Sequence, residues 1–252
     1  MISARWRRRA PQRFFFVHLQ KTAGTGLRAE LMDLFPGPAL YPNRDDGDPV
    51  RDGPQIDVER LVATVADPRR RKVLRVVMGH FPYATLDLLE GDFTPVTVLR
   101  EPVSRTLSYL RHYRVRHPEL VDEPLEALYE QPDVYRIQIR NHMTKMLGMS
   151  AAEMTAGLLT DLEVSPAHLK AARAAVDTMP VVGTVEYYGE FRAAARRQFG
   201  WRLGEPRRLN QTQPEPVPDS FAARISADNE LDMALYEDVI ARMNTTENTV
   251  RP

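Results

Sequence analysis

Apolar and polar positions alternate along the chain in blocks that predict a sequence of strands and helices. Residues 14–19, FFFVHL, are a nearly unbroken apolar run, which suits a strand buried on both faces of a parallel sheet. Leu27, Leu31 and Leu34 then recur at helical spacing and predict a helix over 25–35. Residues 36–54 are rich in Pro, Gly, Asp and Asn without periodicity, the pattern of a long loop of the kind that forms lids or binding segments. Helical spacing returns over 57–66. A second strand is expected over 73–81, ending at Gly79-His80, then a short helix at 84–89 and a third strand over 94–100. Pro102 opens a helix over 102–117, lined by Val103, Leu107 and Leu110 and stopped by Pro118. Residues 125–147 and 151–162 read as helices, and Ser165-Pro166 starts another that runs to 177. A strand at 181–185, a helix to 199 and a Pro-rich loop over 204–218 follow. The last helix carries Leu231, Leu235, Val239 and Met243 on one stripe, with a frayed tail expected after Asn244.

Strands alternating with helices predict an α/β fold with a central, mainly parallel sheet flanked by helices. No internal repeat divides it, so a single domain over 14–245 is expected between a basic tail (1–13) and a short C-terminal tail (246–252). Ligands of such folds bind at the carboxyl ends of the strands. Three of those ends are polar: His18 to Thr25, His80, and Arg100 to Ser108.

Composition narrows the function classes. The 252 residues are 43% hydrophobic and 27% charged with zero net charge, so no global field points to nucleic acid or a membrane. Without cysteine there can be no disulfide, thiolate metal site or cysteine nucleophile. Lysine occurs only at 21, 72, 145 and 170, an Arg-for-Lys skew that reads as a GC-rich genome rather than as function. The basic N-terminus lacks the apolar core of a signal peptide, and no apolar run approaches the ~20 residues of a membrane span. A cytoplasmic protein with a solvated tail is the expectation.

The segment HLQKTAGTGL carries the first candidate chemistry. Gly24 and Gly26 would let backbone N–H groups turn toward an anion, and the start of a helix adds unpaired N–H groups and a positive dipole end. Lys21 adds a full charge; Thr22 and Thr25 add hydroxyls. A strand-to-helix turn with an incidental lysine is the competing reading of the loop alone. A Walker A loop has Lys and Ser/Thr after its last glycine, whereas here the lysine comes first, which argues against an ATP or GTP site. The segment LREPVSRTLSYL adds Arg100 at a strand end, able to grip a phosphate with two nitrogens, and Ser104 and Ser108 on one helix face. Arg105 fits either a ligand role or a pair with Glu101 or another carboxylate.

Together, in this order and about 80 residues apart, these two segments resemble the 5′-phosphosulfate and 3′-phosphate motifs of sulfotransferases that use 3′-phosphoadenosine 5′-phosphosulfate (PAPS). MGHF, RNHMTKMLG, VGTVEYYGEF and NELDMALYEDV more weakly resemble the branch with the carbohydrate and heparan sulfate 2-O-sulfotransferases. The resemblance spans residues 14–243. Gly26 departs from it, since many relatives have Ser or Thr there. It implies a P-loop NTPase-like sulfotransferase fold and transfer of a sulfuryl group from PAPS to a hydroxyl of a glycan, glycolipid or small metabolite. Adenosine 3′,5′-bisphosphate is the product, and no metal is needed. The implied donor site comprises Lys21, Thr22, Ala23, Gly24, Thr25, Gly26, Leu27, Arg100 and Ser108, with Asn210 and Thr212 closing over the nucleotide.

His80 stands at a predicted strand end, where 2-O-type relatives carry a His, and is either the general base or a hydrogen-bonded structural residue. His18 reads as structural, and His112, His117, His142 and His168 as surface residues on helices. Asn141 fits substrate hydrogen bonding or helix packing, and Glu186 could orient the acceptor. The alternatives are a P-loop-like small-molecule kinase, a nucleotide-binding relative without catalysis and, more remotely, an Arg-driven nucleic-acid binder.

Overall fold

A computed structural model describes residues 12–47, 53–206 and 215–250. Its centre is β1 (Phe14–Val17), whose four side chains are all buried. The apolar run is unbroken because both faces are covered: Phe15 and Val17 enter one core cluster, Phe14 and Phe16 the other. β2 (Leu40–Tyr41), β3 (Val76–Gly79), β4 (Thr94–Leu99) and β5 (Val182–Thr184) complete a five-stranded, all-parallel sheet of order β2-β3-β1-β4-β5. Phe14 stands in register with Val76 on one side and Thr94 on the other.

Ten α-helices run among the described residues. They are α1 (Gly24–Leu34), α2 (Val58–Ala66), α3 (Pro68–Val73), α4 (Pro102–Arg116) and α5 (Leu125–Tyr129), then α6 (His142–Gly148), α7 (Pro166–Asp177), α8 (Tyr188–Phe199), α9 (Asp219–Asp228) and α10 (Glu230–Val250). α1 and α8 cover one sheet face through Leu27, Leu31, Phe191 and Ala195. α2, α6, α7 and α10 cover the other through Leu61, Met143, Leu147, Leu169 and Leu235. α4, α5 and α9 enclose a third cluster around Leu110, Tyr129 and Phe221. No helix of the described residues is long and apolar enough to cross a membrane.

Several expectations are corrected. The long loop after α1 contains the edge strand β2, because Leu40 and Tyr41 are apolar and pair with Val76 and Val77. The strand expected over 73–81 is shorter, since Pro68 and the basic run behind it form α3. The helix expected over 125–147 is broken into α5, a π-helical turn (Val134–Ile139) and α6; Pro132 interrupts the first part and left-handed Asn141 (φ 48°) the second. The helix expected over 151–162 is only a 3₁₀ turn (Gly157–Leu159): Glu153 folds back on the Ser150 N–H and hydroxyl, and Gly157 is left-handed. α9 is additional to the expected elements, and α10 extends to Val250, past the stripe that ends at Met243.

The chain visits β2 and β3 on one side of β1, then β4 and β5 on the other. Connections therefore diverge at the carboxyl ends of β1 and β4, the topological switch where parallel sheets take ligands.

Candidate functional site

The loop from β1 to α1 is held in an unusual backbone shape. Lys21 (φ 66°) and Ala23 (φ 61°) are both left-handed, a conformation that costs L-residues roughly 1–2 kcal/mol each. Such strain concentrates where a site needs it. The glycines serve differently from the sequence expectation: neither Gly24 nor Gly26 has positive φ. Gly24 is needed for space, because a Cβ there would overlap the His18 ring. Ala23 stands at the N-cap of α1 and no side chain caps the helix. Among the described residues, nothing accepts a hydrogen bond from the backbone N–H groups of Lys21, Thr22, Ala23, Gly24 or Thr25. Adjacent unpaired N–H groups in left-handed turns form a concavity for an anion. The Thr22 hydroxyl does not join them: it is buried and donates to the Leu19 carbonyl at 3.0 Å, pinning the loop. Thr25 is exposed at the rim, while Gly26 and Leu27 return their N–H groups to the Ala23 carbonyl.

Cations gather around this loop without close ion pairs among the described residues: Glu186 and Glu101 act on Arg100, and Asp232 on Arg105, only at longer range. Arg100, just past β4, donates from Nη1 to the Lys21 carbonyl at 3.2 Å, and its Nε is buried without a partner. Arg105, 1% exposed, donates from Nε to the Gln20 carbonyl at 3.2 Å, and neither of its terminal nitrogens has a partner. Glu101 does not pair with Arg105; its carboxylate caps α4 by accepting from the Val103 and Ser104 N–H groups. Arg28, one turn into α1, also has a buried Nε without a partner. None of Lys21, Arg28, Arg100 and Arg105 forms an ion pair among the described residues. Burial, then the charges of Arg100 and Arg105, push the Lys21 ammonium down to about 8. Burial likewise pushes Arg105 down to about 10. Ser108 lies half-buried on α4, two turns from Arg100.

On the other flank of β1, His80 follows β3. Its Nδ1–H donates to the His18 carbonyl at 2.7 Å, which fixes the neutral tautomer and leaves Nε2 as the acceptor. The His18 and His80 rings stand 4.2 Å apart, and His18 also stacks on Phe16. Burial, with Arg28 and Lys21 nearby, pushes His80 down to about 4 despite its bond to the His18 carbonyl. The imidazole is thus a neutral, oriented acceptor at the carboxyl end of β3.

Other site expectations fall elsewhere. Asn141 is buried, and its Oδ1 accepts the N–H groups of Leu231 and Asp232, both at 3.1 Å; it is a cap for α10, the packing alternative. Glu186 is exposed after β5, where its carboxylate accepts the Glu101 N–H and the Tyr236 hydroxyl. Asn210 and Thr212 lie outside the described residues. His142, expected at the surface, is fully buried, and His168 accepts the Ser165 N–H in the cap of α7. Half-buried His112 feels the Lys21 charge, after burial, as a downward shift.

Arg28 escaped sequence reasoning as a site residue, and Arg105 was left open between a ligand role and a carboxylate pair. The available signals were their offsets: Arg105 one turn beyond Arg100, and Arg28 one turn beyond Gly24, the residue packed on His18. No family model matches the chain, and no curated protein matches it.

Proposed function

We propose that the chain is a PAPS-dependent sulfotransferase that moves a sulfuryl group to a hydroxyl acceptor. The observation that carries this reading is a run of five loop N–H groups, residues 21–25, unpaired among the described residues and lying among cations that form no ion pair there. Buried unpaired donors and charges are costly, so a site that keeps them is suited to an anion that discharges them. In this reading the loop N–H groups hold the 5′-phosphate, and Arg100 with Ser108 holds the 3′-phosphate.

The acceptor hydroxyl attacks sulfur in line, forming a new S–O bond. The bond from sulfur to the bridging phosphate oxygen breaks, and adenosine 3′,5′-bisphosphate leaves with that oxygen. Lys21 neutralises the charge growing there, and His80 Nε2 takes the acceptor proton. The acceptor is a glycan, glycolipid or small hydroxylated metabolite.

The test is thermal unfolding with added nucleotide. Adenosine 3′,5′-bisphosphate should raise Tm, by about 2.7 kcal/mol of stabilisation at a hundredfold excess over Kd. Magnesium ATP, without a 3′-phosphate, should do much less. Equal shifts would favour the kinase reading. Incubation with PAPS and a panel of hydroxylated acceptors, followed by mass spectrometry for a sulfate adduct, then tests transfer itself.

A further inference from the structure

Arg105 is costly where it lies unless it has a task. It is among the largest fully buried side chains, yet both terminal nitrogens lack partners. Its Nε–H bond goes to Gln20, the residue before the strained Lys21. Stacking near the Tyr109 ring, 5.7 Å from its centroid, satisfies one face only. Asp232 is its nearest counter-charge in effect, but both Asp232 oxygens are engaged by the N–H groups of Met143 and Thr144. A packing role alone would be served better by an apolar residue of similar length.

We propose that Arg105 is a positioning residue of the anion loop: with Arg100 it grips two successive carbonyls, Gln20 and Lys21, from beneath. The grip turns the peptide planes so that their carbonyls face the two guanidinium groups and the N–H groups face the ligand. It helps hold Lys21 in the left-handed conformation. It also adds a fixed positive charge behind the loop that no ligand atom needs to touch. The inference rests on the sulfotransferase reading only for the name of the ligand; the grip itself concerns the loop.

The experiment compares Arg105→Met, which keeps length but loses the bond and the charge, with Arg105→Lys, which keeps charge but loses the planar fork. Lysines are labelled with ¹³C, and four lysines make the Lys21 signal assignable through Lys21→Arg. In the wild type Lys21 titrates near 8. In Arg105→Met it should rise but stay below the ordinary lysine value, because burial, the largest cause, and the Arg100 charge both remain. Affinity for adenosine 3′,5′-bisphosphate should fall roughly ten- to a hundredfold, the scale of one charge-assisted hydrogen bond. Arg105→Lys should leave the Lys21 titration low yet lose a similar share of affinity, separating grip from charge. If Arg105→Met does not fold, Arg105→Lys decides. Wild-type affinity in Arg105→Lys, or an unchanged Lys21 titration in Arg105→Met, would overturn the proposal. Should the wild type bind inorganic sulfate but not the bisphosphate, the donor reading fails, while sulfate affinity across the same variants still judges the grip.

Discussion

The starts of α1 and α6 use one backbone device to opposite ends. Each helix begins at a left-handed residue, Ala23 at φ 61° and Asn141 at φ 48°, and neither residue caps its own helix with its side chain. At α6 the exposed donors are taken internally: Asp232 accepts the N–H groups of Met143 and Thr144 at 3.0 and 2.7 Å. Asn141 Oδ1 returns the favour at the start of α10, and Asn229 Oδ1 accepts the Asn141 N–H at 2.9 Å. The knot is buried and takes up the second and third N–H groups of α6. At α1 the same kind of turn has no carboxylate, its N–H groups stay unpaired, and the neighbours are cations. Asp232 shows what such a helix start accepts when it is satisfied from within: an anion with two oxygens. In the proposed reading the α1 loop leaves that place for an anion from outside. Left-handed residues alone therefore do not mark a site; the fate of the donors beside them does.

The largest effect should come from the residue that the open loop serves. His80→Gln should lower the chemical step by roughly 10²–10⁴ with bisphosphate affinity nearly unchanged. In the proposed reaction His80 must be neutral to act as base, and burial holds its conjugate acid at about 4. Falling pH should therefore leave the wild-type rate level through 6.5, an ordinary imidazole's value, and reduce it only near 4. His80→Gln should lack that limb. A limb centred at 6.5 that survives in His80→Gln would assign the base elsewhere.

Lys21→Ala should reduce turnover by about 10²–10³, the usual scale for one preorganised charge stabiliser. Urea unfolding should change little, because the half-buried side chain makes no hydrogen bond or ion pair among the described residues. Wild-type turnover of PAPS by this variant would remove the leaving-group role. The closed knot should behave as the mirror image. Asp232→Ala strands two buried N–H groups and should lose roughly 2–4 kcal/mol of stability in urea. A loss under about 0.5 kcal/mol, the scale of an ordinary surface substitution, would mean that the knot is not what holds α6 to α10.

How much of this was legible beforehand follows from how local each signal is. FFFV announced a doubly covered strand, and Pro102 with Pro118 bounded α4 to within a residue, since each is a property of a few adjacent positions. The order of polar strand ends was legible too, and His80, Lys21 and Arg100 do lie after β3, β1 and β4. What escaped was tertiary. The break before α6 depends on Asn229 and Asp232, some 90 residues away. β2 exists because Val76 and Val77 await a partner. The glycines of the loop suggested conformational freedom, whereas Gly24 is a gap for the His18 ring and the strain falls on Lys21 and Ala23, residues that propensity would never nominate.

The smallest effect separates the two turns most cleanly, because it compares one substitution at both. A left-handed alanine costs roughly 1–2 kcal/mol, and glycine relieves that while losing about 0.5–1 kcal/mol to the freedom of the unfolded chain. Ala23→Gly should therefore be neutral or stabilising by up to about 1 kcal/mol. It keeps every backbone N–H, so bisphosphate affinity should stay within about twofold, well inside the 1.4 kcal/mol that makes a tenfold change. Asn141→Gly has less strain to relieve, because asparagine tolerates the left-handed region, and it deletes the Oδ1 that two buried N–H groups share. It should destabilise by about 1 kcal/mol, the net value of a typical buried hydrogen bond. Urea midpoints of the two variants should thus move in opposite directions. Movement of both upward would show that Asn141 is present for its backbone alone, and the contrast between a closed and an open turn would lose two of its five closing bonds.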